Sequence, residues 1–488
     1  MQKKKAVILG SGFSSLSAAC YLAQAGLEVH VYEKNSTIGG RARRWSKGGF
    51  NFDMGPTWYW MPDVFEKFFN DFGKSSSDYY ELIKLDPAYK VHFSENDSVV
   101  IAGDTEQIVN SFEKIEPGSS VRLRRFLKKA QRNYEIAIND LVYSPGESPL
   151  ELLNVQTLSR ANQFLQSISN DAKKVCKDPR LQKVLEFPAL FLGAKPSDTP
   201  SFYSFMNYAD FGLGTWHPKK GMYSVVEGMA KLAGELGVRF HLNSPVTKIF
   251  NGQPQLASGI EVADKFVKAE YVISGADYAH TETLMEDSYR NYSTQFWEQK
   301  VFAPSALLFY IGFDKKIENV AHHSLFFDTD FDEHAKAIYD TQKWPSKPLF
   351  YASFPSKTDP YFAPEGKEAA TILIPLAPGI EENDQIRNHY LNLVLDRLST
   401  HTGQDLHKAV ELYRSYAVKD FEKDYNSYKG NAYGLANTLK QTAFLRPKLK
   451  NKRLKNVFYA GQLTVPGPGV PPSLISGKIC AESLLKQL

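Results

Sequence analysis

Gly10-Ser11-Gly12, followed by Ser14 and Ser15 and then, 23 residues after Gly10, by Glu33-Lys34, is a spacing that can clasp a dinucleotide. Gly10 allows a tight strand-to-helix turn, and Gly12 lets a diphosphate approach the backbone with no Cβ in the way. A helix starting near Ser14 would aim its free N–H groups and positive dipole end at the phosphates. Ser15 stands where a third glycine or an alanine is usual and is small enough for close helix packing. Glu33 would accept from ribose hydroxyls and repel a 2′-phosphate, which disfavours NADP.

Three further clusters read as parts of the same site. Gly40 and Arg41 would bring backbone and a guanidinium to the diphosphate, and Gly55-Pro56-Thr57 follows closely. Near the other end, Val457 to Ala460 reads as a strand that stops at Gly461-Gln462. A proline-rich loop then leads through Gly469, Val470 and Pro471 into a helical pattern over Ser473 to Lys486. Pro471 and Pro472 suit a first helical turn, where N–H donors have no partner to lose. Such a helix start, aimed at the pyrimidine edge of a flavin, would stabilise the negative charge that builds there on hydride transfer.

The elements that must position these residues are those of an α/β chain. Lys5 to Leu9 is a short buried strand, a helix runs to Gly26, and Glu28 to Tyr32 is a second strand. Lys3 to Lys5 before an apolar run imitates a secretory signal, but Gly10 to Ser15 is too polar for one. A helix over Val225 to Gly237 leads to strands at Val238 to Leu242, Pro245 to Ile249 and Lys268 to Gly275, the last ending at Ala276-Asp277. Ala306 to Gly312 and Ala370 to Pro375 are also strand-like. Val121 to Ile138 is helical and basic, a pattern that suits either an anionic lipid surface or a solvated face.

The 488 residues suffice for two or three domains, and a net charge of +4 from 58 basic and 54 acidic residues carries no nucleic-acid footprint. No apolar run reaches the ~18 residues that would span a bilayer. Cys20, Cys176 and Cys480 lack metal-ligand spacing and suit a reducing compartment as small core residues. Aromatics reach 13% and cluster at Trp58 to Trp60, Phe187 to Trp216 and Tyr425 to Tyr433, which fits either core packing or the wall of an apolar ligand site. No Ser-His-Asp order, metal cluster or carboxylate pair demands a catalytic role. His217 reads as a core or surface histidine, and Asp53 as the brace of a turn.

Together with Gly214 to Ile249 and Ile273 to Asp277, the two ends of the chain resemble the bacterial phytoene desaturase family of carotenoid desaturases, within the flavin amine-oxidase-like group. The resemblance implies FAD, with Gly10, Gly12 and Glu33 at its ADP half, Gly40 and Arg41 at the diphosphate, and a backbone contact from Val246 to adenine. It implies Gly461, Gln462, Gly469, Val470 and Pro471 at the ribityl chain and ring. Thr464-Val465-Pro466-Gly467 replaces a usual Thr-His-Pro-Gly, so no histidine role carries over, and Lys220 replaces a usual glycine. The chain looks more similar to the hydroxycarotenoid 3,4-desaturases than to enzymes starting from phytoene.

The expected fold is α/β (α+β overall). Residues 1–60, 222–280 and 450–488 would make a discontinuous Rossmann-type FAD-binding domain, interleaved with a substrate-binding domain of 61–221 and 281–449 that includes a helical, membrane-facing part. The expected activity is desaturation of an acyclic or hydroxylated carotenoid by hydride transfer to flavin, with oxygen or a quinone as the open choices of acceptor. The expected location is the cytoplasm, peripherally on the inner face of the membrane. A flavin amine oxidase, using Lys315 or Lys316 near the ring and the Tyr425 to Tyr433 cluster as a cage, is the alternative. A non-catalytic isoprenoid carrier is a third.

Overall fold

In the computed structural model, which describes residues 3–152, 161–190 and 195–488, five strands far apart in the chain lie side by side in one parallel sheet. Their order is Val457–Tyr459, Tyr271–Ser274, Lys5–Leu9, Glu28–Tyr32 and Arg239–His241. All are short, and all but the edge strand Arg239–His241 are buried over most of their length, as expected of strands covered on both faces. The helix Phe13–Gln24 connects the first two in sequence, and the helices Met222–Glu235 and Val470–Leu485 pack beside it. A side chain at Gly477 would collide with the Ser14 carbonyl and the Ser17 side chain, so the crossing of Phe13–Gln24 with Val470–Leu485 depends on that glycine. Ser17 Oγ donates to Leu474 O across the same crossing at 2.7 Å.

The stretch read from sequence as one strand, Lys268 to Gly275, is two. Lys265–Lys268 closes an antiparallel three-stranded sheet with Val246–Asn251 and Ala257–Val262, and only Tyr271–Ser274 joins the parallel sheet. Its apolar half and its charged half belong to different surfaces, and a continuous hydropathy pattern does not mark the break.

A second large sheet has seven strands in the order Val410–Tyr416, Ser305–Phe313, Glu368–Leu376, Phe350–Ser353, His323–Phe326, Tyr89–Ser94 and Asp97–Ile101. Neighbours are antiparallel except His323–Phe326 beside Tyr89–Ser94. Helices between residues 105 and 211 cover one end, among them Ser119–Ile136, which runs into a π-helical turn at Ala137–Leu141. Part of the basic face of Ser119–Ile136 is spent internally. Arg122 pairs with Glu116, Arg124 with Glu106 and Lys129 with Asp171, while Arg125, Lys128 and Arg132 are exposed. No helix among the described residues is long and apolar enough to cross a membrane.

Candidate functional site

A cavity of about 630 Å³ opens where the parallel strands end. Leu9, Tyr32, Gly275 and Ala460, which sit at or just beyond the carboxyl ends of four strands, all line it. Ligands of open α/β sheets bind at this edge because connections diverge there and leave a crevice. The starts of the helices Phe13–Gln24 and Val470–Leu485 face the same space, so two positive dipole ends converge on it.

The expected residues are brought together with one exception. Gly10, Ser11, Gly12, Ser14, Glu33, Lys34, Gly40, Arg41, Gly55, Pro56, Thr57, Val246, Asp277, Gly461, Gln462, Gly469, Val470 and Pro471 all line the cavity. Ser15 does not. Its hydroxyl is turned to Leu9 O at 3.5 Å and fills the space where a side chain at Gly275 would lie, so helix and strand approach closely through a serine opposite a glycine.

Glu33 is buried at 4% exposure, and its carboxylate accepts from Ser11 N (3.0 Å), Ser11 Oγ (2.7 Å), Asn35 N (2.9 Å) and Asn35 Nδ2 (2.9 Å). Lys34 is drawn sideways and donates to Lys423 O (2.7 Å) and Asn426 Oδ1 (2.9 Å). Asp277 caps the helix Tyr278–Thr283 by accepting from His280 N at 3.3 Å and also receives Tyr428 N at 3.2 Å. Burial raises its pKa, against the nearby Arg41 charge, which lowers it.

Arg41 is the telling side chain. Its guanidinium donates to Ser427 Oγ (3.0 Å) and Asn431 O (3.2 Å) and lies 5.3 Å from the Tyr425 ring centre, while its buried Nε has no partner. Among the described residues no carboxylate forms an ion pair with it, and burial pulls its pKa down. A buried cation left open to a cavity is costly unless an anion completes it. Gly12 and Gly40 stand opposite each other there, with a Cβ on Gly40 only 3.2 Å from Gly12 Cα.

Beyond this end the cavity continues into a slot walled by Trp58, Phe187, Phe202, Phe327, Phe331 and Ile338. Two of its ionisable residues have backbone partners. His334 accepts from Leu349 N at 2.9 Å, lies 3.0 Å from Pro375 O, and is held at about 4 by burial, hence uncharged at neutral pH. Glu151 accepts from Gly146 N, Glu147 N and Ser148 N. Tyr351 and Tyr433 also line the cavity. Tyr351 and His334 carry no local sequence pattern that points to a site.

Four residues singled out in the sequence lie elsewhere. Lys315 and Lys316 are outside the lining, bonded to Asp405 O and Ser356 O, so neither supplies the lysine that the amine-oxidase alternative needs near the ring. His217 is buried beside Asp359 at 3.3 Å. Asp53 accepts from Met222 N (2.9 Å) and Tyr223 N (3.2 Å) at the start of Met222–Glu235, which bears out its reading as a brace.

Residues 13–485 match the model of the family described as flavin containing amine oxidoreductase. The chain is 39% identical over 485 residues to a carotenoid 3,4-desaturase of Haloarcula japonica, covering 99% of this chain and 98% of that protein. It is 30% identical over 495 residues to a zeta-carotene-forming phytoene desaturase of Myxococcus xanthus, covering 99% and 94% respectively. An oxidoreductase of Methanosarcina mazei shares the fold, with a TM-score of 0.65 at 18% identity over 98% of this chain and 100% of that one. The family implies FAD, and the residues present fit it: a guanidinium with no carboxylate partner among the described residues and a buried, unpartnered Nε, two helix starts for a diphosphate, a buried carboxylate beside them, and an apolar slot adjoining. Taken with the full-length identity to two desaturases, this chain belongs to the carotenoid desaturases of the flavin containing amine oxidoreductase family.

Proposed function

We propose that this chain is an FAD-dependent desaturase that introduces C=C bonds into an acyclic or hydroxylated carotenoid, with desaturation at the 3,4 position favoured by the relative of 39% identity, a carotenoid 3,4-desaturase. The observation that carries this reading is the continuity of one cavity from a glycine-rich, cationic end into an aromatic slot. A CH2–CH2 unit seated in the slot would be delivered to a cofactor held at the other end.

In this reading Gly10, Ser11, Gly12, Ser14, Glu33 and Val246 hold the ADP half, and Gly40 and Arg41 the diphosphate. Gly461, Gln462, Gly469, Val470 and Pro471 border the ring half, with Gly55 to Thr57 and Asp277 beside it. Ser15 contributes by packing. Bound FAD supplies the hydride acceptor. The chain's own contribution is placement: the aromatic wall excludes water and fixes the polyene, and conjugation next to the reacting carbon makes a strong base unnecessary. Residues 1–60, 222–280 and 450–488 serve as the cofactor domain, and 61–221 with 281–449 as the substrate domain. A lipid-soluble substrate would reach the slot from a bilayer, so we assign peripheral membrane contact to the helical part, where Arg125, Lys128 and Arg132 are free to meet anionic lipid.

The test is anaerobic mixing of purified holoprotein with carotenoids in detergent or liposomes. Bleaching of the flavin absorbance by acyclic or hydroxylated carotenoids, with product analysis, is expected. Protein that binds no flavin, or flavin that no carotenoid bleaches, would end the proposal.

A further inference from the structure

Arg446 ends the single helical turn Ala443–Leu445 and is buried, at 2% exposure. Its guanidinium donates to Leu435 O (3.0 Å), Gln462 O (3.3 Å), Thr464 O (3.5 Å) and Asn437 Oδ1, while its Nε is buried without a partner. Arg43, Arg387 and Arg397 each have a carboxylate, on Asp424, Glu382 and Asp328. Among the described residues none pairs with Arg446. A buried cation held by dipoles alone costs free energy that a simple brace between loops does not require. Burial pulls its pKa down to about 10, with the Tyr203 phenol working the other way, so it stays charged at neutral pH.

The wall of the main cavity stands directly in front of this charge. Gln462, Leu463, Val465 and Pro466 line the cavity, as do Asn437 and Ala443, whereas Arg446 itself does not. Gly467, at φ 135°, closes the loop over the guanidinium, since a Cβ there would lie 3.0 Å from both Arg446 Nη2 and Asn437 Oδ1. Four of the five N–H groups of the guanidinium are taken up by this wall. Arg41 offers the cavity hydrogen-bond donors; what Arg446 offers it is charge. That charge is felt through one layer of protein, whose dielectric response is weaker than that of water.

We infer that Arg446 supplies a fixed positive charge, behind the loop from Gly461 to Gly467, that stabilises the reduced form of the bound flavin. The inference rests on the placement of the ring half beside Gly461 and Gln462 proposed above. A hydride brings two electrons and one proton, so the ring gains one negative charge on reduction. A cation already in place, with nothing to rearrange when that charge arises, favours the reduced ring and leaves the neutral oxidised ring almost unaffected. It adds a whole charge to the partial one at the start of Val470–Leu485.

The experiment is equilibrium reduction of holoprotein against a reference dye, without carotenoid, in wild type, Arg446→Gln and Arg446→Lys. Arg446→Gln should disfavour the reduced flavin about tenfold, a fall of about 30 mV for a two-electron couple. Arg446→Lys keeps the charge and should lie within about twofold of wild type. A bracing role would move both variants alike, because neither side chain spans the four acceptors. Equal potentials in wild type and Arg446→Gln, or as large a fall in Arg446→Lys, overturn the inference. Where neither variant holds flavin, wild type decides: its flavin should be reduced at a higher potential than free FAD in the same buffer, and an equal or lower potential overturns the inference. Bleaching of the same wild-type preparation by carotenoid tests the desaturase reading separately, so either can fail alone.

Discussion

At the glycine-rich end of the cavity much of the lining is main chain and the Arg41 charge is left open, whereas at the aromatic end the lining is side chain and both Glu151 and His334 are satisfied by backbone partners. The two ends therefore differ in what they tolerate. A site made of backbone is destroyed by adding a side chain that points into it, and its vacancy for an anion is set by charge. A site made of bulk is altered by filling or emptying it, and its polar groups matter only as braces.

The largest effect should come from adding bulk to the backbone end. Gly12 has φ −74°, ordinary for any residue, and a Cβ there meets nothing within 4 Å, so Gly12→Val should fold normally while its isopropyl group enters the cavity. We expect FAD retention to fall at least ~100-fold, equivalent to about 3 kcal/mol, with apoprotein stability within about 0.5 kcal/mol of wild type. Flavin content after purification and the apoprotein melting curve check this, and undiminished flavin would mean that the diphosphate lies elsewhere.

Next is the open charge. Arg41→Met removes donors that a diphosphate would use, and a hydrogen bond to a charged group contributes about 1.5–3 kcal/mol, so FAD should bind roughly 10- to 100-fold more weakly. The same change relieves an unpaired buried cation, so the apoprotein should be no less stable. Titration of apoprotein with FAD, beside its thermal melt, separates the two; a destabilised apoprotein with normal FAD affinity would make Arg41 structural.

At the aromatic end the effect should fall on substrate alone. Ala335→Trp extends a lining residue into the slot, and overpacking of this kind costs about 1–3 kcal/mol. FAD content should stay at the wild-type level while carotenoid turnover drops, as measured by product formation. Loss of flavin in this variant would show that the two ends are not separable.

The smallest effect tests a brace behind the wall. Trp60, which lines the cavity, donates through Nε1 to Thr215 Oγ1 at 2.8 Å, and the buried Asp210 accepts from Tyr89 OH at 2.7 Å and lies 3.4 Å from Thr215 Oγ1. Burial pushes the Asp210 carboxyl from 3.8 up to about 7. A carboxyl raised on folding adds stability that is fully present below the unfolded value and is lost as pH rises through the folded one. Wild-type melting temperature should therefore fall between pH 4 and 7 by more than that of Asp210→Asn, and parallel curves would contradict the shift.

Much of the glycine-rich end of the cavity was legible in the residues, because its parts are local. A strand, two glycines, a helix start and an acidic residue lie within 30 positions, and backbone geometry over so short a span leaves few alternatives. The closing helix was legible for a similar reason, since Pro471 and Pro472 fit only a first turn. Ser15 shows where this stops: its small size was readable, but the glycine that makes room for it is Gly275, some 260 positions away.

The slot could not be read in this way. Tyr351 belongs to a four-residue strand, and its place beside Thr57 and His323 follows from pairing between distant strands, in which a slip of one residue would turn it to the opposite face. Aromatic composition announced an apolar surface without saying which rings face a ligand and which fill the core, because burial rewards both equally. Short-range spacing thus sufficed for the glycine-rich end, while the aromatic wall came into being only when separate strands and helices closed around the cavity.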